Sequence, residues 1–244
     1  MQISEVYNAD VLRSLLPESA DAICIKETES TNTIARELIC KGASNGSLLI
    51  ADRQTAGRGR RGKSFFSPDG GIYMSVIVRE RDAVPYTVCA AAAVCKALRS
   101  LGAKTEIKWV NDIFIDGKKV CGILCERVEE HIIIGIGINH SITDFPEELN
   151  DIAASLPKEF PDRQKTAAAV IKELFRSLAD PTAARAYYAK NMMLYGKTVS
   201  YEYNGNTHTG KIIGLGENEE LLVESGSKHI ALTSGMVTPV EADK

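Results

Sequence analysis

Four cationic side chains fall within six residues of one glycine-rich segment, GRGRRGK at 57–63. The rest of the chain does not share this charge, since 29 Lys and Arg residues stand against 32 Asp and Glu residues, a formal net charge of −3. Glycines at 57, 59 and 62 allow positive φ angles that can point several backbone N–H groups at one anion. Guanidinium groups add donors that fit carboxylate or phosphate oxygens in pairs. The segment therefore predicts an anion-binding loop, with a nucleic-acid-binding tract or a plain solvated loop as the alternatives.

A second polar set surrounds the chain's single tryptophan. The segment KWVND at 108–112 places it between a cation, an amide and a carboxylate, and Lys119 follows seven residues after Asp112. The Asp-Gly pair at 116–117 predicts a hairpin turn, which brings Asp112 and Lys119 onto facing strands at or near pairing distance. Such a pair is either part of a site or a surface ion pair that contributes little.

Two glycines alternate in a third segment, GIGIN at 135–139. Residues two apart lie on one face of a strand, so Gly135 and Gly137 leave room there for a flat ligand or a closely approaching backbone. A β-bulge or tight sheet packing is the equally weighted alternative.

The order of predicted elements favours an α+β layer fold. An antiparallel meander is predicted without any repeated strand–helix–strand pattern. Capping residues at 30–32 precede a short helix that ends at 41–42. The other predicted helices are 86–101, 162–179 and 181 to about 192, and the predicted strands are 47–51, 72–78, 104–110, 112–115, 119–128 and 131–138.

The sequence pattern changes after about residue 195. Short strands alternate with turn sequences from 197 to 240, which is enough for a small barrel of four or five strands. We therefore predict two domains, a larger one at 1–195 and a small one at 196–244.

Composition limits the class of protein. The start of the chain lacks a signal pattern, and no apolar run approaches the ~20 residues of a membrane span, so a cytoplasmic protein without a membrane partner is predicted. The six cysteines form no CxxC pair and no zinc-like spacing with the four histidines. Free, buried thiols in a reducing compartment are the favoured interpretation.

Four ordered motifs resemble the catalytic domain of biotin–protein ligases: GRGRRG at 57–62, KWVND at 108–112, KVCGIL at 119–124 and GIGIN at 135–139. The segment STN at 30–32 is similar to that family's upstream ligand-contacting segment. The resemblance implies a mixed, mainly antiparallel sheet with helices, as in class II synthetases, followed by an SH3-like β-barrel. It also implies a two-step reaction. Biotin and Mg·ATP form biotinyl-5′-AMP and pyrophosphate, and biotin then passes to a lysine of a biotin carboxyl carrier domain.

The resemblance also assigns roles to residues. The implied catalytic residues are Lys119, Arg58, Arg60 and Asp112. The implied biotin-binding residues are Ser30, Thr31, Asn32, Gln54, Gly57, Arg58, Arg60, Lys119, Gly122 and Gly135. The implied ATP-binding residues are Arg60, Lys63, Phe65, Lys108, Asn111, Asp112, Lys119 and Asn139. Mg²⁺ is expected with ATP, and its ligands are not assigned.

The chain departs from the family pattern at two positions. Val110 stands where the family usually has proline, and Phe65 stands where it commonly has a tryptophan that stacks on adenine. The 29 residues before Ser30 are too few for the winged-helix DNA-binding domain of bifunctional members, so a ligase without DNA as a partner is expected. A homodimer is compatible with the sequence.

Two other functions compete with this interpretation. A lipoate or octanoate ligase or transferase shares the implied fold and the acyl-transfer chemistry. A nucleic-acid-binding module would use the arginine loop on phosphates, but the acidic balance of the chain supplies no wide basic face.

Overall fold

Two β-sheets and five α-helices make up the computed structural model, which describes residues 2–233, 235 and 237–240. The helices are α1 Ala9–Arg13, α2 Thr31–Cys40, α3 Tyr86–Ser100, α4 Arg163–Ala179 and α5 Pro181–Lys190. The strands of the first sheet are β1 Ala22–Thr28, β2 Leu48–Gln54, β3 Ile72–Arg79, β4 Glu106–Lys108, β5 Asp112–Ile115, β6 Lys118–Val128 and β7 His131–Ile138. The strands of the second sheet are β8 Thr198–Tyr203, β9 Asn206–Leu215, β10 Leu221–Ser225, β11 Lys228–Leu232 and β12 Val237–Pro239.

The first sheet has seven strands in the order β1-β2-β3-β7-β6-β5-β4. Only the β1–β2 pair is parallel among the described ladders of this sheet, and the others are antiparallel. The predicted mixed, mainly antiparallel α+β architecture is therefore confirmed. Strand β7 lies at the centre, hydrogen-bonded to β3 on one side and β6 on the other.

Helices cover the two faces of this sheet. The alanine-rich α3 is buried along nearly its whole length, because small side chains let it lie close to the sheet on one side and to α4 and α5 on the other. Helix α2 covers the opposite face with Ala35 and Ile39, which pack on Ile77 of β3 and Ile133 of β7. Odd-numbered residues of β3 and β7 consequently face α2, and this is the face that carries Gly135 and Gly137.

The second sheet has five antiparallel strands in the order β11-β10-β9-β8-β12. Five strands agree with the sequence, but no ladder joins β11 to β12 in the part of the chain that the structure describes, so closure into an SH3-like barrel stays a prediction. Core residues of this sheet, among them Val199 and Leu221, belong to the same apolar cluster as α3. The hydrophobic core therefore continues across the predicted domain boundary at residue 195.

Local differences from the sequence prediction are small. The predicted strand at 104–110 is reduced to the three residues of β4, and β1 and α1 were not predicted. All six cysteines are free, and Cys40 is exposed whereas the predicted environment was buried. No described helix has both the length and the apolar character needed to cross a membrane.

Candidate functional site

A cavity of about 350 Å³ opens between the α2 face of the sheet, the arginine loop and the second sheet. All but two of the predicted site residues line it. Those that do are Ser30, Thr31, Asn32, Gln54, Arg58, Arg60, Lys63, Phe65, Lys108, Asn111, Asp112, Lys119, Gly122 and Gly135. Segments separated by more than a hundred residues in sequence thus meet in one place.

Gly57 and Asn139 lie beside the cavity rather than in its lining. Gly57 is buried, and a Cβ there would overlap the carbonyl oxygen of Phe65 and the hydroxyl of Ser67. The Nδ2 of Asn139 donates to the carbonyl oxygen of Lys119 at 3.3 Å. Both residues therefore support neighbours that do line the cavity.

The arginine loop folds back on itself, with Gly59 N donating to Lys63 O at 2.7 Å and Phe65 N to Gly57 O at 2.8 Å. Only Arg61, with a φ of 57°, and Gly62, with a φ of 73°, are left-handed in this loop. The prediction of positive φ at Gly57 and Gly59 was wrong. Close packing explains the glycine at 57, because the space for a side chain is already occupied.

A polar network forms at the start of α2. Gln54 Oε1 accepts from the backbone N–H of Thr31 at 2.8 Å and from its hydroxyl at 3.2 Å. Ser75 Oγ lies 2.7 Å from Thr31 Oγ1 and 2.6 Å from Asn32 Oδ1. Asn32 Nδ2 donates to Glu126 Oε2 at 2.7 Å. The network fixes several donors and acceptors at one end of the cavity.

Sequence reasoning missed Ser75, Glu126 and Arg36 in this network. Ser75 is fully buried in strand β3, and a lone serine in the otherwise apolar run 72–78 was the available signal. Arg36 pairs with Glu126 at 3.1 Å, so the carboxylate that holds Asn32 is itself neutralised.

The glycines form a flat floor under an aromatic ring. Gly122 of β6 and Gly137 of β7 are direct cross-strand partners. A Cβ on Gly137 would lie 2.6 Å from the ring of Phe65, and one on Gly122 would lie 3.0 Å from it. Only glycine therefore permits this approach of a planar group to the sheet, and the binding of a flat ligand on this floor stays a prediction.

Lys119 forms an ion pair with Asp112, with 2.7 Å between Nζ and Oδ1. The two residues are not directly opposite, because Lys119 pairs with Phe114 and Asp112 pairs with Gly122 across an irregular register. Diagonal neighbours on one face of a hairpin are still within reach of a long side chain. The ammonium also lies 5.7 Å from the centre of the Phe65 ring. The structure thus brings the predicted lysine, carboxylate and aromatic residue together.

The charge in the cavity is strongly one-sided. One carboxylate, that of Asp112, lines it among the described residues, against the six cations Arg58, Arg60, Arg61, Lys63, Lys108 and Lys119. A concave site lined by one sign of charge concentrates ligands of the opposite sign. The cavity is therefore built for an anionic ligand on a protein whose formal net charge is −3.

Known proteins have sequences similar to that of this chain. Residues 24–139 match the model of the biotin/lipoate A/B protein ligase family. The bifunctional ligase/repressor BirA of Bacillus subtilis is 34% identical over 217 residues, which are 80% of this chain and 67% of that protein. The biotin–[acetyl-CoA-carboxylase] ligase of Mycobacterium tuberculosis is 31% identical over 237 residues, 87% of this chain and 86% of that protein.

A solved structure agrees with these sequence matches. The biotin protein ligase from Aquifex aeolicus in complex with biotin and ATP is similar with a TM-score of 0.78 and 27% identity, over 93% of this chain and 100% of that one. The match extends over nearly all of both chains. The chain belongs to the biotin protein ligase family.

Proposed function

We propose that this chain is an ATP-dependent biotin–protein ligase. In the first step a biotin carboxylate oxygen attacks the α-phosphorus of ATP, a P–O bond to the leaving pyrophosphate breaks, and biotinyl-5′-AMP forms. In the second step the amino group of a carrier lysine attacks the acyl carbon, and AMP leaves as the amide forms. The observation that carries the proposal is the placement of Lys119 beside Asp112 in a cavity with six cationic side chains.

The cations suit the first step because both reacting groups are anions. A carboxylate that approaches a triphosphate is repelled, and charge develops on the phosphoryl oxygens in the transition state. Preorganised positive groups offset both effects in a site shielded from water. We assign this role to Lys119, Arg58 and Arg60, with Asp112 orienting the lysine through its 2.7 Å ion pair.

The polar network at the start of α2 favours biotin over lipoate or octanoate. The ureido ring of biotin carries two N–H donors and a carbonyl acceptor, whereas a dithiolane ring or an alkyl chain offers no such groups. A site with fixed polar groups discriminates strongly against a ligand that leaves them unpaired. We place the ureido ring near Ser30, Thr31, Asn32 and Gln54, with Gly57, Gly122 and Gly135 allowing its close approach.

ATP would occupy the remaining part of the cavity. We assign adenine stacking to Phe65, phosphate contacts to Lys63 and Lys108, and nucleotide contacts to Asn111 and Asn139. Mg²⁺ would enter as Mg·ATP, since this ion is commonly held by substrate phosphates with one or two carboxylates. Asp112 is the carboxylate that the cavity offers for this purpose.

The second substrate would be a biotin carboxyl carrier domain. The M. tuberculosis relative is named for ligation to acetyl-CoA carboxylase, which supports a carrier of that type. We further propose that residues 1–195 form the ligase domain and 196–244 an SH3-like barrel, and the five antiparallel strands support the second assignment.

Transfer of biotin to a carrier tests the whole reaction. The purified chain, with biotin, Mg·ATP and an isolated carrier domain, should produce a streptavidin-reactive carrier. A carrier whose acceptor lysine is replaced by arginine should remain unlabelled. Absence of label on the intact carrier would overturn the proposal, and labelling with lipoate but not biotin would favour the lipoate ligase alternative.

Closure of the arginine loop would protect the adenylate, which is a mixed anhydride that water hydrolyses. We predict that biotin with ATP slows tryptic cleavage at residues 55–67 by about tenfold or more, because the bound anion orders the loop. The measurement is time-resolved proteolysis followed by mass spectrometry. Cleavage after Lys228, in the turn-flanking part of the second sheet, should not change and serves as the internal control. Equal cleavage of the loop with and without ligands would contradict closure.

A further inference from the structure

The turn between β9 and β10 reaches from the second sheet to the tryptophan of the KWVND segment. Trp109 Nε1 donates to the backbone carbonyl oxygen of Glu219 at 2.8 Å. Arg185 of α5 holds the same turn, because its guanidinium donates to the carbonyl oxygens of Leu215, Gly216 and Glu217. The position of Glu219 is therefore fixed from two sides.

The backbone of Glu219 is left-handed, with a φ of 68°. This conformation favours glycine, and a residue with a long side chain is uncommon there. The chain thus keeps a carboxylate at a position where the backbone alone would prefer no side chain.

Glu219 lines a second cavity of about 290 Å³ together with Arg60, Thr87 and Cys125. Arg60 also lines the larger cavity, so this residue borders both. Burial raises the pKa of the Glu219 carboxyl above its usual range, and the backbone N–H of Val88 and then the charges of Arg60 and Arg185 offset only part of this rise. The carboxylate consequently sits within the electrostatic reach of Arg60.

Arg60 has little else to orient it. Arg60 is an exposed residue, and its hydrogen bond to Asn111 Oδ1 is 3.4 Å long. Within the described residues no carboxylate forms a direct ion pair with Arg60. The Glu219 carboxylate across the small cavity therefore does not compete with an existing ion pair. An arginine held near its working orientation loses less side-chain entropy when it binds an anion.

We propose that Glu219 is a positioning residue that orients Arg60 toward the ligand cavity by its charge. This inference rests on the proposed ligase function, and it makes a turn of the second sheet part of the apparatus that retains the adenylate. Glu219 touches neither the substrate nor the reacting atoms in this account. It acts on Arg60 through its carboxylate and on Trp109 through its backbone.

Four variants separate the effect of charge from the effect of structure. Glu219→Gln keeps an oxygen acceptor for Val88 N–H and removes the charge. Glu219→Gly removes the side chain and relaxes the left-handed backbone. Asn204→Gly is the matched control, because Asn204 has a φ of 51° in another turn of the same sheet. Arg60→Ala provides the reference for full loss of the guanidinium.

The readout is the first-order rate at which preformed, radiolabelled biotinyl-AMP leaves the protein, measured after rapid gel filtration. We expect Glu219→Gln and Glu219→Gly each to release it about three to ten times faster than the unmodified chain, in keeping with the modest strength of partly screened charge interactions. Melting temperatures should not fall, and Asn204→Gly should retain the adenylate normally. In an Arg60→Ala background, Glu219→Gln should add no further loss, because the two residues act as a unit.

Each other outcome would overturn the inference. Normal retention by Glu219→Gln with fast release by Glu219→Gly would mean that the residue only caps α3. Normal retention by both would mean that its charge has no role, and additive effects with Arg60→Ala would mean that it acts elsewhere. Failure of the ligase proposal itself would look different, because the unmodified chain would then form no adenylate at all.

Discussion

Replacement of Lys119 by methionine should lower kcat for biotin adenylation by roughly a hundred- to a thousandfold. Methionine keeps much of the apolar stem but removes the charge that lies between the reacting anions in our account. The protein should stay folded, because Lys119 and Asp112 are both partly exposed and such an ion pair contributes about 1 kcal/mol or less. Steady-state ATP–pyrophosphate exchange with saturating biotin measures the effect.

Lys118 supplies the matched control for this prediction. It precedes Lys119 in β6, and its ammonium donates to the backbone carbonyl oxygen of Asn150 at 2.7 Å rather than entering the cavity. Lys118→Met should therefore exchange at close to the normal rate. An exchange rate for Lys119→Met within about threefold of normal would show that Lys119 has no role in the adenylation step.

Replacement of Gly122 by valine should lower kcat/KM for biotin by roughly a hundredfold or more while the fold persists. The atoms nearest to a new Cβ are the ring of Phe65 at 3.0 Å and the ammonium of Lys119 at 3.1 Å, both ends of side chains rather than backbone. These groups can move aside, and valine is favoured in strands, so stability should not fall. The new side chain would nevertheless occupy the floor where a flat ligand approaches, and small displacements of reacting groups cost large factors in rate.

A graded series checks this steric explanation. Gly122→Ala should show a smaller loss than Gly122→Val, and thermal unfolding should be similar for all three proteins. A normal kcat/KM in the valine variant would show that the floor does not meet the acid substrate. A large drop in melting temperature would instead mean that the glycine serves the packing of the sheet.

Local signals predicted most of the sheet, and the family resemblance supplied about half of the residues that line the cavity. The Asp-Gly turn at 116–117 and the apolar runs at 72–78 and 131–138 correspond to β5–β6, β3 and β7. These features depend on neighbouring residues, so one sequence is enough to find them. The glycine spacing at 135 and 137 was likewise readable, because alternation along a strand fixes which residues share a face.

Long-range contacts were beyond such reasoning. The parallel pairing of β1 with β2 joins strands separated by α2, and the edge strand β1 has too little alternation to stand out. Asn32 meets Glu126 across 94 residues of sequence, so no local pattern signals that contact. In the sequence, Glu219 is one of several polar residues of a turn, and nothing distinguishes it. The structure places it beside α3 and Arg60. Its left-handed backbone is visible only in the structure.

The measurement that tests the central claim most directly is ATP–pyrophosphate exchange by the purified chain with Mg²⁺, comparing biotin, lipoate, octanoate and no added acid. We predict rapid exchange with biotin and background exchange in the other three reactions, because biotin is the one acid of the three whose ring carries N–H and C=O groups that can bond to the polar network around Thr31 and Asn32. Exchange that depends on lipoate or octanoate instead would contradict the assignment of that network to biotin. Background exchange with every acid would contradict the adenylation chemistry that we derive from Lys119 and the arginine loop.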